Sequence, residues 1–449
     1  MTNKTFLIIA TLTLVSTFSK AQDTKQWTLQ DCINYAMEHN IQLQQNRIAE
    51  EQGEVSLKQS KAVLFPSLTF NMSQSVNYRP LQDSPSNLVT NGMATSSSRK
   101  ATANGSYGLN ASWTVWNGGA NTKNIKVQEV TNNITALNTQ QTEQNIQEQI
   151  AQLYVQILYS QEAEKVNQAM LSTAETQFQR GEEMLNVGQI SKADLAQLHS
   201  QLSSCKYNVV QTQTQTAQFK LQLKNLLELN YQQSFDIAST TPSDEKALEM
   251  IPTREEVINQ AFVTRPEIRS SELSVEAAEL DLAVAKAGYW PTISINAGVG
   301  DSHNSASQYE WGEQMKQNLN ASIGISLAVP ILDNRRNKTA VEKAKLAKTN
   351  KQLDLQDQRN ALTSTIEEYW LNAYTSQQKF VAAKSKAESM EASYTLLDEQ
   401  FKHGLKNIVE LLTGRDNLMS AQQERLQSKY TAILNLKLLQ FYQGQPIEL

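Results

Sequence analysis

The residues that most often carry catalysis or bind metals are scarce in this chain of 449 residues. Its two cysteines and four histidines show no metal-ligand spacing along the sequence: Cys32, Cys205, His39, His199, His303 and His403. No Ser/His/Asp arrangement, HExxH segment, glycine-rich phosphate loop or pair of catalytic carboxylates is present. The sequence therefore predicts that the protein is not an enzyme and holds no metal or cofactor.

The two cysteines permit at most one disulfide. Cys205 falls on an apolar helical stripe, where a buried cysteine behaves as a small hydrophobic residue. Because the predicted geometry separates it from Cys32, we expect two thiols that are not bridged.

Residues 1–21 are typical of a secretory signal peptide. Lys4 precedes an apolar stretch from Phe6 to Val15, and Ser19 and Ala21 place small residues three and one before a cut. Cleavage there makes Gln22 the first residue and removes two lysines, so the net charge changes from −5 to −7. An acidic exported chain is a poor partner for nucleic acid. A buried N-terminal helix is the alternative for this segment.

Two long stretches, residues 120–180 and 331–403, contain neither glycine nor proline. They fit helices of roughly 60–70 residues, about 90–105 Å long, which no compact domain of ordinary size encloses. A glycine after each stretch, Gly188 or Gly404, marks a turn into a second helix. In the first copy this second helix has coiled-coil spacing at Leu195, Leu198, Leu202, Cys205, Val209, Thr212, Thr216, Phe219, Leu223 and Leu226. One polar face could line a water-filled tube, or the hairpin could be an ordinary exposed coiled coil.

The chain repeats itself once. Segments 33–36 and 65–68 recur at 258–261 and 290–293, an offset of 225, and farther along Gly188 matches Gly404 at an offset of 216. We therefore predict two units, residues 22–240 and 241–449, each with a β-hairpin followed by a helical hairpin. The predicted β-hairpins are 64–116 and 290–331, and the predicted helical hairpins are 119–229 and 334–442.

Four segments alternate apolar and polar residues with the period of a β-strand, at 67–78, 106–115, 292–299 and 319–329. In the second segment, Val115 follows Trp113 on the predicted apolar face. Residues 79–102 and 301–318 are the expected loops between the strands. The apolar faces carry no charge, as strands facing lipid require. Aromatic residues cluster at the strand ends like an interfacial belt: Phe65, Trp113, Trp116, Tyr289 and Trp290. The alternative is a soluble sandwich with these faces in its core.

Four strands cannot close a barrel, for which about eight is the practical minimum. Open strand edges in hydrocarbon leave backbone groups unpaired at a cost of several kcal/mol each. The strands must therefore be pooled between chains. Two chains would give eight strands with a filled interior, whereas three would give twelve with room for a lumen, so we expect a trimer.

The order of elements resembles the TolC family of outer-membrane efflux channels over residues 28–444. The most specific likeness is Arg265-Pro266-Glu267, followed by Gly288-Tyr289-Trp290-Pro291, which resembles the family's R-P-E/D segment and its A-G-Y-x-P at the strand start. The first unit has a weaker copy at His39-Asn40-Ile41, without the proline.

The resemblance implies an internally duplicated α+β membrane protein that acts as a homotrimer. Its strands would form a 12-stranded β-barrel surrounded by outer-membrane lipid, and its helical hairpins a periplasmic α-barrel. The trimer would dock onto a periplasmic adaptor and an inner-membrane pump of the RND, ABC or MFS class. It would conduct drugs or other small molecules passively out of the cell.

The resemblance also assigns adaptor docking to two tip turns, Val187-Gly188-Gln189 and His403-Gly404-Leu405. Its gate positions match the acids Asp194 and Glu410, the bases Lys406 and Lys429, and Thr413, where many members have a second acid. Three copies of Glu410 about a threefold axis would form an anionic ring that favours cations. The alternatives are plain helix caps for the glycines and a solvated helix face for the charges.

Two other functions stay open at this point. The outer-membrane channel of a type I (ABC) protein secretion system would share all these features. A periplasmic coiled-coil adaptor or scaffold would share the helical hairpins but lack four amphipathic strands.

Overall fold

The computed structural model describes residues 26–81, 86–90, 93–97, 99–230, 232–239 and 241–449. The expected signal peptide, residues 1–21, lies outside these residues. The described part of the chain forms ten helices and eight strands. None of these helices is both long and apolar enough to cross a membrane.

The first repeat contains, in chain order, β1 (Gln26–Trp27), α1 (Leu29–His39), α2 (Ile41–Ala62), β2 (Ser67–Tyr78), β3 (Ser86–Thr90), β4 (Met93–Ser97), β5 (Ala101–Asn117), α3 (Ala120–Asn186) and α4 (Lys192–Leu226). The first repeat ends with β6 (Asp236–Ile237), and the second contains α5 (Asp244–Ala247), α6 (Arg254–Thr264), α7 (Pro266–Ala287), β7 (Thr292–Asn304), α8 (Trp311–Asn318), β8 (Asn320–Ala328), α9 (Arg336–Lys402) and α10 (Ile408–Tyr442). Helices α3 and α9 both have 67 residues, and α4 and α10 both have 35. The predicted internal duplication is confirmed.

The helices stack in two levels along α3 and α9. The N-terminal half of α3 packs against α2 and α7, and its C-terminal half packs against α4 and α10, while α9 packs against α7 and α10. The main hydrophobic core lies where the two levels meet and includes the fully buried side chains of Leu43, Ile150, Ile157, Ile268 and Ile366. Helices of both repeats share this core, which fixes the long hairpins relative to the strands.

The Arg265-Pro266-Glu267 segment joins α7 to the end of α10. Pro266 opens α7, where a missing N–H costs no hydrogen bond. The buried Arg265 donates from Nε to Glu267 Oε1 at 2.9 Å and lies over the ring of Tyr442, 4.2 Å from its centroid. In the first repeat, Asn40 takes the matching place and caps α2 with its side-chain oxygen. The most specific motif of the sequence is therefore a joint between helices.

Strands β2, β5, β7 and β8 form one antiparallel sheet in that spatial order. Its register aligns the apolar residues of all four strands on one face, so that Phe70 pairs with Leu109 and Leu109 with Val299. These side chains are exposed in the single chain. The other face carries serine, threonine and asparagine, as the alternation predicts.

A β-bulge between Thr114 and Trp116 corrects the predicted alternation of β5. Trp116 pairs with Ile293, and Val115 is the extra residue of the bulge. Trp116 therefore takes the place on the apolar face that the sequence pattern gave to Val115. A one-residue insertion shifts every later side chain by one position, and a single strand's sequence does not reveal it.

The two expected loops contain regular structure. Segment 79–102 includes the hairpin of β3 and β4 and the start of β5, and segment 301–318 includes the end of β7 and all of α8. Gln314 of α8 accepts from the backbone N–H of Asn304 at 2.8 Å, which holds this helix against the end of β7. β5 and β7 are longer than predicted because the pairing between them continues past the apolar alternation.

The short helix α5 and its flanking residues, which we call the segment between the repeats, dock on α9 and α10 through Asp244. Its carboxylate lies 3.0 Å from Lys384, 3.0 Å from Lys429 and 3.2 Å from Arg425. Burial raises the pKa of Asp244, but hydrogen bonds from Lys384 and Lys429 and the charges of Lys429 and Arg425 outweigh it and lower the pKa to about 2. The ionised carboxylate therefore holds this segment in place.

We expect acid to weaken this docking. The folded pKa of Asp244 lies below its ordinary value of 3.8, so the stabilisation is present above that value and is lost as the pH falls through about 2. The shift corresponds to about 2 kcal/mol. Hydrogen exchange of residues 244–247 between pH 6 and 2, corrected for the intrinsic exchange rate at each pH, should show protection factors that fall at the acid end. Asp244→Asn should give low protection factors throughout, whereas Asp354→Asn, which removes an exposed carboxylate, should follow the wild type. Identical profiles for all three proteins would contradict the assignment.

Candidate channel-forming site

The five interface aromatics lie where the sheet meets the helices, and all five are exposed: Phe65, Trp113, Trp116, Tyr289 and Trp290. The indole N–H of Trp113 donates to the Leu64 carbonyl at 2.8 Å, and the Trp116 and Trp290 rings meet edge to face at 6.0 Å. These contacts link strands of both repeats at a single level. The structure thus groups residues that are up to 225 positions apart in the sequence.

Sequence reasoning missed a second aromatic group at the far end of the sheet. His303 stacks on Tyr107 at 5.9 Å, Trp311 meets its ring at 6.5 Å, and Gln74 lies 3.3 Å from its Nε2. All but Trp311 lie on strands at positions in phase with the apolar face. The register of β5 against β7 brings them together, and neither strand alone signals that pairing.

The sheet has two open edges in the described part of the chain. β2 pairs only with β5 and β8 only with β7, so the outer sides of β2 and β8 keep unpaired backbone groups. β2 runs away from the helices and β8 runs back toward them. A β8 strand placed beside the β2 strand of another copy would therefore be antiparallel to it.

The helices have open edges on the same two sides as the sheet. On the β2 side, exposed apolar residues follow heptad or three-and-four spacing along α2 and α4: Ile41, Ile48, Val55, Tyr207, Val210 and Leu221. On the β8 side, α9 has a matching row: Leu346, Leu353, Leu371, Tyr374 and Val381. Such spacing is typical of a helix face that packs against another helix.

The two tip turns have the same geometry. Gly188 and Gly404 have φ of +76° and +68°, and the N–H of the following residue bonds the carbonyl five positions earlier. A Cβ on either glycine would meet nothing within 4 Å, so the backbone conformation alone requires glycine there. Beside them, Val187 and Leu405 are 70% and 74% exposed. Each turn thus presents an apolar side chain at the end of its hairpin.

Four of the five gate candidates lie just beyond the tip turns. Asp194 accepts hydrogen bonds from the N–H and the hydroxyl of Ser191, which lower the pKa of its carboxyl. In the other hairpin, the Glu410 carboxylate in the first turn of α10 lies 3.1 Å from the ammonium of Lys406, which precedes that helix. The Thr413 hydroxyl donates to the Val409 carbonyl at 2.8 Å. Asp194 also completes the capping box of α4 with Ser191, a role that sequence reasoning did not assign to it.

Lys429 is placed apart from the other gate candidates. It follows Glu410 by 19 residues on α10, about 29 Å along the helix axis. Its side chain is 7% exposed and contacts Asp244. This geometry corrects the assignment of Lys429 to the gate, since burial and ion pairing commit it to docking the segment between the repeats.

Two contacts between the hairpins were invisible in the sequence. Above the tip, the Gln177 side-chain amide of α3 donates to Tyr394 Oη at 2.8 Å and to Asp398 Oδ1 at 3.1 Å, both on α9. The fully buried Arg415 of α10 lies 3.8 Å from the Cys205 sulfur of α4. Neither cysteine is in a disulfide, as expected. Within the described residues, no group of three or more His, Cys, Asp or Glu side chains could hold a metal ion.

Comparison with known proteins identifies this architecture. The model of the family described as outer membrane efflux protein matches residues 32–228 and 257–445. The chain is 20% identical over 327 residues to outer membrane protein TolC of Salmonella enteritidis, a match that spans 70% of this chain and 64% of TolC, less than two thirds of that relative. It is 22% identical to alkaline protease secretion protein AprF of Pseudomonas aeruginosa over 41% of this chain and 37% of AprF.

Among solved structures, the fold matches the open state of the MtrE outer membrane channel of Neisseria gonorrhoeae. The TM-score is 0.75 at 19% identity, over 94% of this chain and 89% of MtrE. At that identity the likeness concerns the fold alone. Since the family model matches most of both repeats, the chain belongs to the outer membrane efflux protein family, whose members are channel proteins of the outer membrane and not enzymes.

Proposed function

We propose that three copies of this chain assemble into one outer-membrane channel. The observation that carries the proposal is the presence of open edges in both the sheet and the helices on the same two sides of the chain. A head-to-tail contact would join β8 of one copy to β2 of the next, and the apolar row of α9 to those of α2 and α4. Twelve strands would then form a closed sheet without edges, as a lipid environment requires.

The trimer would act as a passive conduit of a tripartite efflux system. The apolar strand face and the aromatic residues at its lower end fit a barrel in outer-membrane lipid. The exposed side chains of Val187 and Leu405 suit docking to a periplasmic adaptor, through which an inner-membrane RND, ABC or MFS pump would deliver small molecules. Family membership argues against the alternative of a periplasmic adaptor or scaffold.

A type I protein secretion channel is the second candidate. The similarity to AprF, a relative named for the secretion of alkaline protease, favours it. Both functions use the same tube, and a lumen lined by small polar side chains would admit either class of cargo.

We place the gate at the tip, around Asp194, Lys406, Glu410 and Thr413. The ion pair between Lys406 and Glu410 would set the charge of the ring that three copies form. Each lysine neutralises one carboxylate, so the intact ring would favour cations only weakly.

Adding charge to the α9 edge should prevent assembly. Leu346→Lys together with Leu353→Lys places two cations on a surface that is exposed in one chain and buried in the proposed trimer. Because the single chain already exposes these positions, its fold should survive while the trimer is lost. The measurement is the slow-migrating species on unboiled gels and the mass of the purified protein. Met250→Lys is the control, since Met250 is 91% exposed and lies off both edges. Normal trimers in the double variant would contradict the proposed interface.

Two variants of Gly188 distinguish a role of the tip in docking from a role as a helix cap. Gly188→Ala and Gly188→Trp both place a side chain on a residue with φ of +76°, a strain of about 1 kcal/mol or slightly more. Only tryptophan adds bulk to the open space of the tip. Drug resistance of a strain whose own gene is deleted should be restored by the alanine variant but not by the tryptophan variant, at equal trimer abundance. Full resistance with both variants would mean that Gly188 acts only as a helix cap. Loss of resistance with both would mean that the positive φ, and not the open space at the tip, is what function requires.

Removing the Lys406 charge should raise both conductance and cation preference. Lys406→Gln leaves three Glu410 carboxylates without their neighbouring cations, so more cations should enter the ring. Single-channel recordings of the trimer in planar bilayers give the conductance, and reversal potentials under a salt gradient give the selectivity. Lys165→Gln removes an exposed lysine from the middle of α3 and should leave both values unchanged. Equal values for the two variants would remove Lys406 from the gate.

A further inference from the structure

The four helix ends that meet the sheet are strongly basic. We name as the basic collar the lysines and arginines in the last or first eight residues of these helices and in the adjoining connections: Lys58, Lys61, Lys123, Lys126, Lys286, Arg335, Arg336, Lys338 and Lys343. The same segments hold three acids, Asp281, Asp333 and Glu342. The nine cations therefore leave this level with a net charge of +6 in a chain whose total is −5.

We propose that the basic collar binds the anionic headgroups of phospholipids in the membrane leaflet that faces the periplasm. The proposal rests on the proposed function, because it needs the sheet to lie in the outer membrane. The collar then lies directly below the aromatic residues Tyr289 and Trp290, at the level of the lipid phosphates. Cations near such a surface attract anionic lipid within about a Debye length, roughly 8 Å at physiological salt.

The cations at the start of α9 are available for such binding. Arg335 pairs with Glu342 at 3.2 Å, but among the described residues no carboxylate lies within 4.0 Å of Arg336, Lys338 or Lys343. All three are exposed. Lys123, by contrast, donates to the Ala283 carbonyl at 3.2 Å and is committed to the fold.

Local stability argues against placing these charges here. Cations at a helix N-terminus face the positive end of the helix dipole and destabilise the helix. Arg335 also has a φ of +66°, a backbone conformation that residues other than glycine rarely adopt. The first repeat has Gly119 at this position. Because Arg335 stands where the first repeat has a glycine, and the cations face the positive end of the helix dipole, the stability of the fold does not account for these arginines and lysines, and we assign them to a function outside the folded chain.

An exposed apolar pair precedes the cations. Ile331 and Leu332 are 87% and 94% exposed in the connection between β8 and α9. Apolar side chains next to cations are typical of segments that lie at a membrane interface, with the apolar groups among acyl chains and the cations at the phosphates. A water-filled lumen or an anionic cargo would not explain the isoleucine and leucine, and a contact between copies would explain them but not the cations; a lipid surface explains both features.

Lipid retention by the intact trimer tests the proposal. The protein is reconstituted in vesicles of phosphatidylcholine and phosphatidylglycerol in equal parts, extracted in mild detergent, and the lipids that remain bound are quantified. The collar variant combines Arg336→Gln, Lys338→Gln and Lys343→Gln. A charge-conserving variant combines Arg336→Lys, Lys338→Arg and Lys343→Arg. The matched control combines Lys165→Gln, Lys192→Gln and Lys206→Gln, which removes the same charge from exposed positions far from the sheet.

We expect the wild type, the charge-conserving variant and the control to retain phosphatidylglycerol several-fold over phosphatidylcholine. The collar variant should retain the two lipids nearly equally, and high salt should abolish the preference of the wild type. Equal retention by wild type and collar variant, or a preference that persists in high salt, would overturn the proposal. If the collar variant does not form trimers, the salt dependence of lipid retention by the wild type alone tests the proposal.

Conductance separates this proposal from the proposed function. Wild-type trimers are also recorded in bilayers of phosphatidylcholine alone. Channels that conduct there, combined with no lipid preference in the vesicles, would overturn the lipid site and leave the channel intact. Absence of both trimer and conductance would contradict the proposed function itself.

Discussion

The pairing of backbone hydrogen-bond groups in the four-stranded sheet is the constraint on which the rest of the structure depends. A sheet in lipid has no water to satisfy the groups along its edges, so every edge must find a partner strand. The outer sides of β2 and β8 have none within the described chain. We therefore propose that the chain is one part of a larger closed assembly, and the exposed apolar rows of α2, α4 and α9 continue the same two edges below the sheet.

The internal duplication supplies the elements that the proposed assembly needs. Each repeat supplies two strands and one long hairpin, and the equal lengths of α3 and α9 keep both tips at the same distance from the sheet. The shorter helices stack end to end, with α2 and α4 on α3, so the proposed assembly would have the same number of helices around its wall at both levels. The joint at Arg265 and the buried core at its level hold the two stacks in register.

Charge is distributed according to depth along this long molecule. The apolar face of the sheet carries one carboxylate, Asp301, near its far end, the helix ends below the sheet are basic, and the hairpin tips carry the acids Asp194 and Glu410. Lys429 shows that a charge on a tube helix can serve the fold instead, because Asp244 neutralises it where the segment between the repeats docks. Assigning a role to a charge therefore requires its partner, and the partner comes from another element.

The amino-acid sequence by itself determined the duplication, the four strands, the long hairpins and their glycine turns. Each is a local property: a period of two or of three and four, a missing proline, or a glycine where φ must be positive. Only the tertiary structure decided the bulge at Val115, the place of Lys429, the cluster around His303 and the contact of Gln177 with Tyr394. These depend on the register between strands and on the packing of helices far apart in the sequence. No local pattern encodes which residues of two distant segments meet, because that choice is made by the energy of the whole packed chain.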